Sequence, residues 1–363
     1  MKAKDWSYKL FIIVFLTLLI IPNIVLLFGL EQGFTNNENI EFETPPEFDL
    51  SQPNTTLKNY KSYYLGNYGL KKTLVNQYVS FKSEILKENP LPDKVVVGNQ
   101  GWYFLGNAHK KVLNNTFNTT HDKIQIVQVV KNLKKLSEYL REKNILFYVA
   151  VAPNKHSIYK ENLPYKLNQN ATFYEELIEA LKDNNINYIN LHKVLLEKKK
   201  EEKIYYKTDT HWNNLGAFYA YQDVINTIGK ELSVKPLSLN DYIINTSLKP
   251  VNHLSKMINV YTKEQVVNLT LKKSVSIDTL SIRFDDLIFS NQQQQFKLLM
   301  SRDSFSDAWI GFFNESFNQT RYIKNYNPIT TQLIEQYKPD VVIYEIVERN
   351  LPNLVKPILL KNP

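Results

Sequence analysis

Residues 10–30 read LFIIVFLTLLIIPNIVLLFGL, with no Asp, Glu, Lys or Arg among them. As a helix this run reaches about 31 Å at 1.5 Å per residue, enough to cross the hydrocarbon core of a bilayer. A chain with such a segment is divided into a membrane part and an aqueous part before any other choice is made. Lys2, Lys4 and Lys9 precede the run, Glu31, Glu38, Glu41 and Glu43 follow it, and the next basic residue is Lys58. That asymmetry predicts a cytoplasmic amino terminus over residues 1–9, a single-pass transmembrane anchor in membrane lipid over residues 10–30, and an extracytoplasmic remainder. The alternative is a cleaved signal peptide, whose apolar core is usually shorter and followed by a small-x-small site, neither of which is seen here. Pro22-Asn23 within the span is tolerable in lipid, because neighbouring groups can satisfy a freed carbonyl. Eight Asn-x-Ser/Thr sequons, including Asn54, Asn118, Asn268 and Asn318, fit an outward-facing chain.

The rest of the 363 residues contain no cysteine. Disulfides, thiolate metal sites and cysteine nucleophiles are thereby excluded, and any chemistry falls to oxygen and nitrogen groups. A hydrophobic fraction of 43%, with 23 Tyr and 19 Phe, supplies a core and excludes wholesale disorder. The formal charge is 44 − 36 = +8, but the basic residues are spread along the chain apart from short clusters such as Lys198-Lys199-Lys200. A spread excess reads as a solvated surface, and no nucleic-acid partner is expected.

Residues 31–56 turn polar and carry Pro45, Pro46 and Pro53, the composition of an extended stalk. From residue 57 to 363 one domain is expected, opening with a helix over 57–87. KVVVGNQGWYFLG, residues 94–106, reads as a hairpin around a Gly-bearing turn. Then the pattern alternates. Ile124, Val127, Val130, Leu133, Leu136 and Leu140 recur at helical spacing, and strands are expected over 145–151, 186–191, 296–300 and 340–347. Helices are expected over 173–181, 192–200, 212–228 and 331–337. Strand-helix alternation predicts an α/β fold, a doubly wound parallel sheet with helices on both faces. The polar stretch 233–295, with short β-like pieces such as VSIDTLSIRF, breaks it and reads as an irregular insertion or an excursion from the sheet, a small β element lining the site being one form of it.

In open α/β sheets ligands bind beyond the carboxyl ends of the strands. Ser304 follows the apolar FKLLM directly, on a strand-to-helix turn where helix amides offer a site for a developing oxyanion. A nucleophilic serine needs a base, and the base an orienting carboxylate; Asp209-Thr210-His211 supplies both groups in one loop. The bland alternative makes Ser304 and Asp209 helix caps. Asn154 and Lys155, after the 145–151 strand, are candidates to donate to a tetrahedral intermediate or a sugar hydroxyl, against a solvated turn. His156 is a second candidate base without a carboxylate neighbour in sequence. Trp102 and Tyr103 read as core aromatics rather than sugar platforms. Glu345, Glu348 and Arg349 read as an ion pair at a strand end. Asp209 and His211 have no third ligand nearby, so neither a metal nor another cofactor is expected.

The strings VVVGNQGWYFLG, VAPNKHSIYKENLP, YYKTDTHWNNLGAFYAY, LLMSRDSFSDAW and KPDVVIYEIVERNL, spanning residues 95–351 in that order, resemble the SGNH-hydrolase-like domain of the alginate O-acetyltransferase family. DTHWNNLGA is the specific element. The resemblance implies a flavodoxin-like SGNH fold in which Asp-x-His precedes the nucleophile. Residue by residue, it implies Ser304 as nucleophile, His211 as base and Asp209 as orienting acid. Arg302 stands where the wider SGNH pattern commonly has glycine; positive charge near the oxyanion and a surface position are its two readings. A membrane-anchored serine acyltransferase is then expected, moving acetyl groups onto a polysaccharide acceptor, with a multi-spanning membrane protein supplying the acyl group. A carbohydrate O-acetylesterase with the same triad is the alternative, and a non-catalytic polysaccharide-binding or assembly component another.

Overall fold

The computed structural model describes residues 2–28, 45–86, 88–117, 123–165, 171–251, 253–258, 260, 262–273 and 275–361. Glu31, Glu38, Glu41, Glu43, Asn118 and most of the expected stalk lie outside these. The chain divides into two units, residues 1–91 with 256–259, and residues 92–255 with 260–363.

In the first unit, α1 (Lys2–Leu27) contains the apolar run. Its stretch Trp6–Leu27 has a mean hydropathy of 3.0 and is long and apolar enough to cross a membrane. Phe11, Leu18 and their neighbours are exposed. Pro22 lies inside the helix, and Asn23 turns its side-chain amide back to the Leu19 carbonyl at 2.6 Å. The helix expected over 57–87 is broken in two. The first piece, α2 (Pro53–Asn67), starts with proline at its first position, where a missing N–H costs nothing. Leu70 then adopts a left-handed φ of 63° ahead of α3 (Lys71–Ser80), and Phe81–Ile85 forms a π turn.

The second unit opens with the expected hairpin, β1 (Val95–Val97) antiparallel to β2 (Tyr103–Leu105). There follow α4 (Val112–Phe117), α5 (Lys123–Glu142), β3 (Leu146–Ala152), α6 (Lys155–Ile158), α7 (Phe173–Asp183), β4 (Tyr188–Ile189), α8 (Leu191–Lys198) and α9 (Asn214–Ile228). After them come β5 (Tyr242–Pro250), α10 (His253–Met257, of which 253–255 belong to this unit), β6 (Lys263–Leu271), β7 (Asp278–Arg283), β8 (Asp286–Ser290) and β9 (Lys297–Arg302). The chain closes with α11 (Ile310–Asn314), β10 (Gln319–Lys324), β11 (Ile329–Thr330), α12 (Thr331–Tyr337), β12 (Val341–Val347) and β13 (Leu359–Leu360).

The main sheet has seven strands in the order β4-β3-β12-β9-β10-β8-β7. The first five run parallel, and β8 and β7 close the edge antiparallel. Both faces of the central strands are buried. Tyr148, Ala150, Met300 and Ile343 pack with α9 residues such as Phe218 and Tyr221, while Val149, Val151, Leu299 and Val342 pack with Leu133, Leu136 and Leu140 of α5. This period of two, apolar on both sides, is why these strands read as continuous apolar runs.

Two expectations change. The 233–295 stretch is not wholly an insertion, since its last part supplies β7 and β8 to the main sheet, while β5 and β6 pair as a separate ribbon. Ile124 and Val127 are exposed, because α5 turns Ile126, Val129 and Val130 inward at its start.

Candidate active site

Because β3, β9 and β12 are parallel neighbours, the residues after each emerge on one rim of the sheet. Ser304 is exposed at the head of a 3-10 turn, Phe305–Trp309, just past β9. Asp303 shapes this turn. Its carboxylate accepts from the Phe305 amide at 2.9 Å and from the Val347 amide of β12 at 2.8 Å. Glu345, two residues before Val347 on β12, accepts from the Asp303 amide and the Ser306 hydroxyl, both at 2.8 Å. Burial, then the nearby Asp303 charge, push the Glu345 carboxyl well above its usual range. The serine loop is thus fastened to the neighbouring strand on both sides.

The Asp-x-His loop is held by aromatic rings. Tyr205 and Trp212 form an isolated antiparallel bridge that closes it. Trp212 donates its indole N–H to the Phe305 carbonyl at 3.0 Å and stacks on Trp309 at 5.2 Å, tying the histidine loop to the serine turn. His211 Nε2 lies 2.9 Å from Ser304 Oγ, and its Nδ1 lies 2.7 Å from Asp209 Oδ1. The same carboxylate oxygen accepts from the His211 amide at 3.0 Å. Burial works against the charge on Asp209, but the bonds from His211 outweigh it and hold the carboxyl well below its usual range. An aspartate kept charged here fixes the tautomer that leaves Nε2 free to accept the serine proton. The structure therefore brings Ser304, His211 and Asp209 into one hydrogen-bonded row.

The secondary candidates go elsewhere. Asn154 is buried, with its amide nitrogen donating to Thr116 Oγ1 at 2.6 Å and its oxygen accepting from Arg349 at 3.0 Å. Lys155 is buried rather than solvated, with its ammonium on the carbonyls of Tyr206, Lys207 and Asp209. Arg302 is also buried, donating to the Asp303 carbonyl and paired with Asp307. None of these bonds reaches Ser304 or His211. His156 is buried against Phe104, bonded through Nε2 to the Leu105 carbonyl at 2.9 Å, and burial pushes its pKa down to about 4. Trp102 is a core residue stacked on Tyr159. Glu348 pairs with His192 at 3.2 Å rather than with Arg349, and takes the Asn154 amide and the Ser157 hydroxyl as well. The Arg349 guanidinium lies over the Phe305 ring.

Two residues near the row escaped sequence reasoning. Glu264 of β6 is buried and accepts from the Lys207 and Thr208 amides at 2.8 and 2.7 Å. It sits in the stretch that gave no periodic signal. His253 places its ring 6.3 Å from that of His211, and burial lowers its pKa; no neighbouring acid in sequence marks it.

The chain order, with Asp-x-His ahead of the serine strand, and the position of the row on the sheet's carboxyl rim put this unit in the SGNH hydrolase-like class. Residues 95–312, more than half of the chain, match the family described as SGNH hydrolase-like domain, acetyltransferase AlgX, and the chain belongs to that family. It is similar to the probable alginate O-acetylase AlgJ of Azotobacter vinelandii, 26% identical over 191 residues. That match spans 52% of this chain and 46% of the relative, less than half of the relative's length. PatB1 of Bacillus cereus shares the fold at a TM-score of 0.58 and 19% identity, over 72% of this chain and 98% of that one. A second structure of PatB1, with a sulfonyl adduct, matches at the same TM-score and 20% identity, over 72% and 97% of the two chains.

Proposed function

We propose that this chain is a membrane-anchored, extracytoplasmic serine acyltransferase that O-acetylates hydroxyls of a cell-surface or secreted polysaccharide. The hydrogen-bonded row from Asp209 through His211 to Ser304 carries the reading. Ser304 Oγ attacks the acetyl carbonyl while His211 Nε2 takes the hydroxyl proton, and Asp209 stabilises the imidazolium that results. The tetrahedral intermediate expels the donor group, which leaves with that proton, and acetyl-Ser304 remains. A sugar hydroxyl then attacks, giving its proton to Nε2, and the imidazolium returns a proton to Oγ as the ester departs. Membership in an acetyltransferase family supports the acetyl group. The alginate O-acetylase named among the relatives supports a polysaccharide acceptor, and α1 supports anchoring, with a multi-spanning membrane protein as the acyl source.

The test offers the purified full chain an activated acetyl ester with and without oligosaccharides and follows products by mass spectrometry. Acetylated sugar from the wild type and none from Ser304→Ala is the expected result. Acetate alone, released at a rate indifferent to acceptor, assigns the same row to an esterase. Polymer binding without acetate release overturns serine chemistry.

A further inference from the structure

Lys155 is the first residue of α6, at the carboxyl end of β3, and its side chain is fully buried. Its Nζ lies 3.0 Å from the Tyr206 carbonyl, 3.0 Å from the Lys207 carbonyl and 2.5 Å from the Asp209 carbonyl. An ammonium has three N–H donors and no acceptor, so the three carbonyls match it one for one. The rings of Trp102 and Phe104 lie under it. From the other side Glu264 takes the amides of Lys207 and Thr208. The remaining carbonyl of the segment, Thr208, is met by the Leu254 amide at 2.9 Å. The backbone that delivers Asp209 to His211 is thus clamped between a cation on its carbonyls and an anion on its amides.

We propose that Lys155 is a positioning residue for the serine chemistry, its ammonium holding residues 206–209 in the one backbone arrangement that sets the Asp209 carboxylate against His211. This rests on the serine reading above and deepens it. A neutral amine keeps only two N–H donors and turns a lone pair toward one carbonyl, so loss of the proton releases part of the clamp. Burial pushes the Lys155 pKa down to about 7, against the opposing pull of Asp209 and Glu264. The other charged or titratable groups facing the ammonium are His156 of α6, His253 of α10 and Lys207, which shares the Trp102 ring. The clamp therefore loosens just above neutral pH.

The experiment is labelling of the full chain in detergent with phenylmethanesulfonyl fluoride, in which Ser304 Oγ bonds to sulfur, fluoride leaves and the proton passes to His211. Second-order rates are read by peptide mass spectrometry from pH 5 to 10. The expected wild-type profile falls above about pH 7, as Lys155 loses its proton. Lys155→Met is expected to label at least about tenfold more slowly and to lose the falling limb. The melting temperature is recorded over the same range. Lys155 binds its proton less tightly in the folded chain than its ordinary 10.5, so on its account stability rises from about pH 7 upward. A falling rate with an undiminished melting temperature therefore reports local release and not unfolding. Folded Lys155→Met that labels at the wild-type rate, or a wild-type rate that stays level to pH 10, overturns the proposal. Should Lys155→Met not fold, the wild-type profile decides alone. A wild type that is never labelled on Ser304 overturns the serine reading itself, an outcome distinct from either.

Discussion

At the scale of single residues, two of the hydrogen bonds of the His211 ring mean different things. In the proposed serine chemistry, the one to Ser304 sets the direction of proton transfer, and the one to Asp209 sets which nitrogen is free to receive it. Groups that act in one proton path lose function together, so Ser304→Ala, His211→Ala and Asp209→Ala are each expected to cost at least about a hundredfold in acetyl release, near 2.7 kcal/mol, without adding when combined. Circular dichroism of each variant should be unchanged, and full turnover in any one of them removes that residue from the path. His156 makes a different prediction. Its folded pKa of about 4 lies below its ordinary 6.5, so the unfolded chain binds the extra proton, and stability present above pH 6.5 is lost as pH falls toward 4. The loss amounts to about 1.4 kcal/mol per pH unit in that window. Melting curves from pH 7 to 4.5 check it: His156→Gln should flatten the acid slope, and an unchanged slope assigns the acid lability elsewhere. Sequence made both groups visible as candidates, but only burial separates a working histidine from a core one. Asn154, Lys155 and Arg302, candidate donors in the sequence, are buried on partners of their own, and a charged or amide side chain at a strand end gives no sign of such partners before the chain folds.

At the scale of elements, DTHWNNLGA was the legible part of the site, and its Asn213 and Gly216 have a local cause. Asn213 caps α9 by accepting from the Gly216 amide at 3.0 Å and reaches back to the Lys203 carbonyl at 2.6 Å, closing the loop that presents His211. Gly216 packs so closely that a Cβ there would stand 2.2 Å from the Ile204 carbonyl oxygen. Gly216→Ala must therefore push residue 204 and the loop it starts, and overpacking of this kind costs about 1 to 3 kcal/mol. The expected result is a lower melting temperature together with slower sulfonyl labelling of Ser304, and a variant matching wild type in both shows that the loop gives way without harm. The central strands were legible because two buried faces impose a nearly continuous apolar run, as in the VVIYEIV of β12, where Glu345 is the one charged residue. The place of β7 and β8 in the main sheet was not, although VSIDTLSIRF reads as β-like. Leu280, Ile282 and Phe284 are exposed along the sheet's outer edge, and without a buried face the alternation carries no signal. The clamp residue Glu264 was hidden with them, since its partners are backbone amides 56 and 57 positions away.

At the scale of the whole molecule, hydropathy announced the apolar run Trp6–Leu27, but the unit that holds it extends to residue 91, well beyond that run. Which unit claims residues 53–85 was not legible, since polar helices with few buried side chains leave no trace of their neighbours in the sequence. The proposed acceptor lies outside the cytoplasm, so the serine row must be there too, and the orientation becomes a condition of the function. Three lysines ahead of the run, against four glutamates after it and no basic residue before Lys58, favour retention of the amino terminus on the cytoplasmic side. Protease added to intact cells or protoplasts is then expected to digest the sheet-bearing unit and leave a short fragment containing residues 10–30. Moving the positive charge, with Lys2, Lys4 and Lys9 changed to Glu and Glu31, Glu38, Glu41 and Glu43 to Lys, should protect that unit in a fraction of molecules and lower acetylation by the same fraction. Protection of the wild-type unit until the membrane is lysed would place Ser304 in the cytoplasm and leave a surface polysaccharide out of its reach.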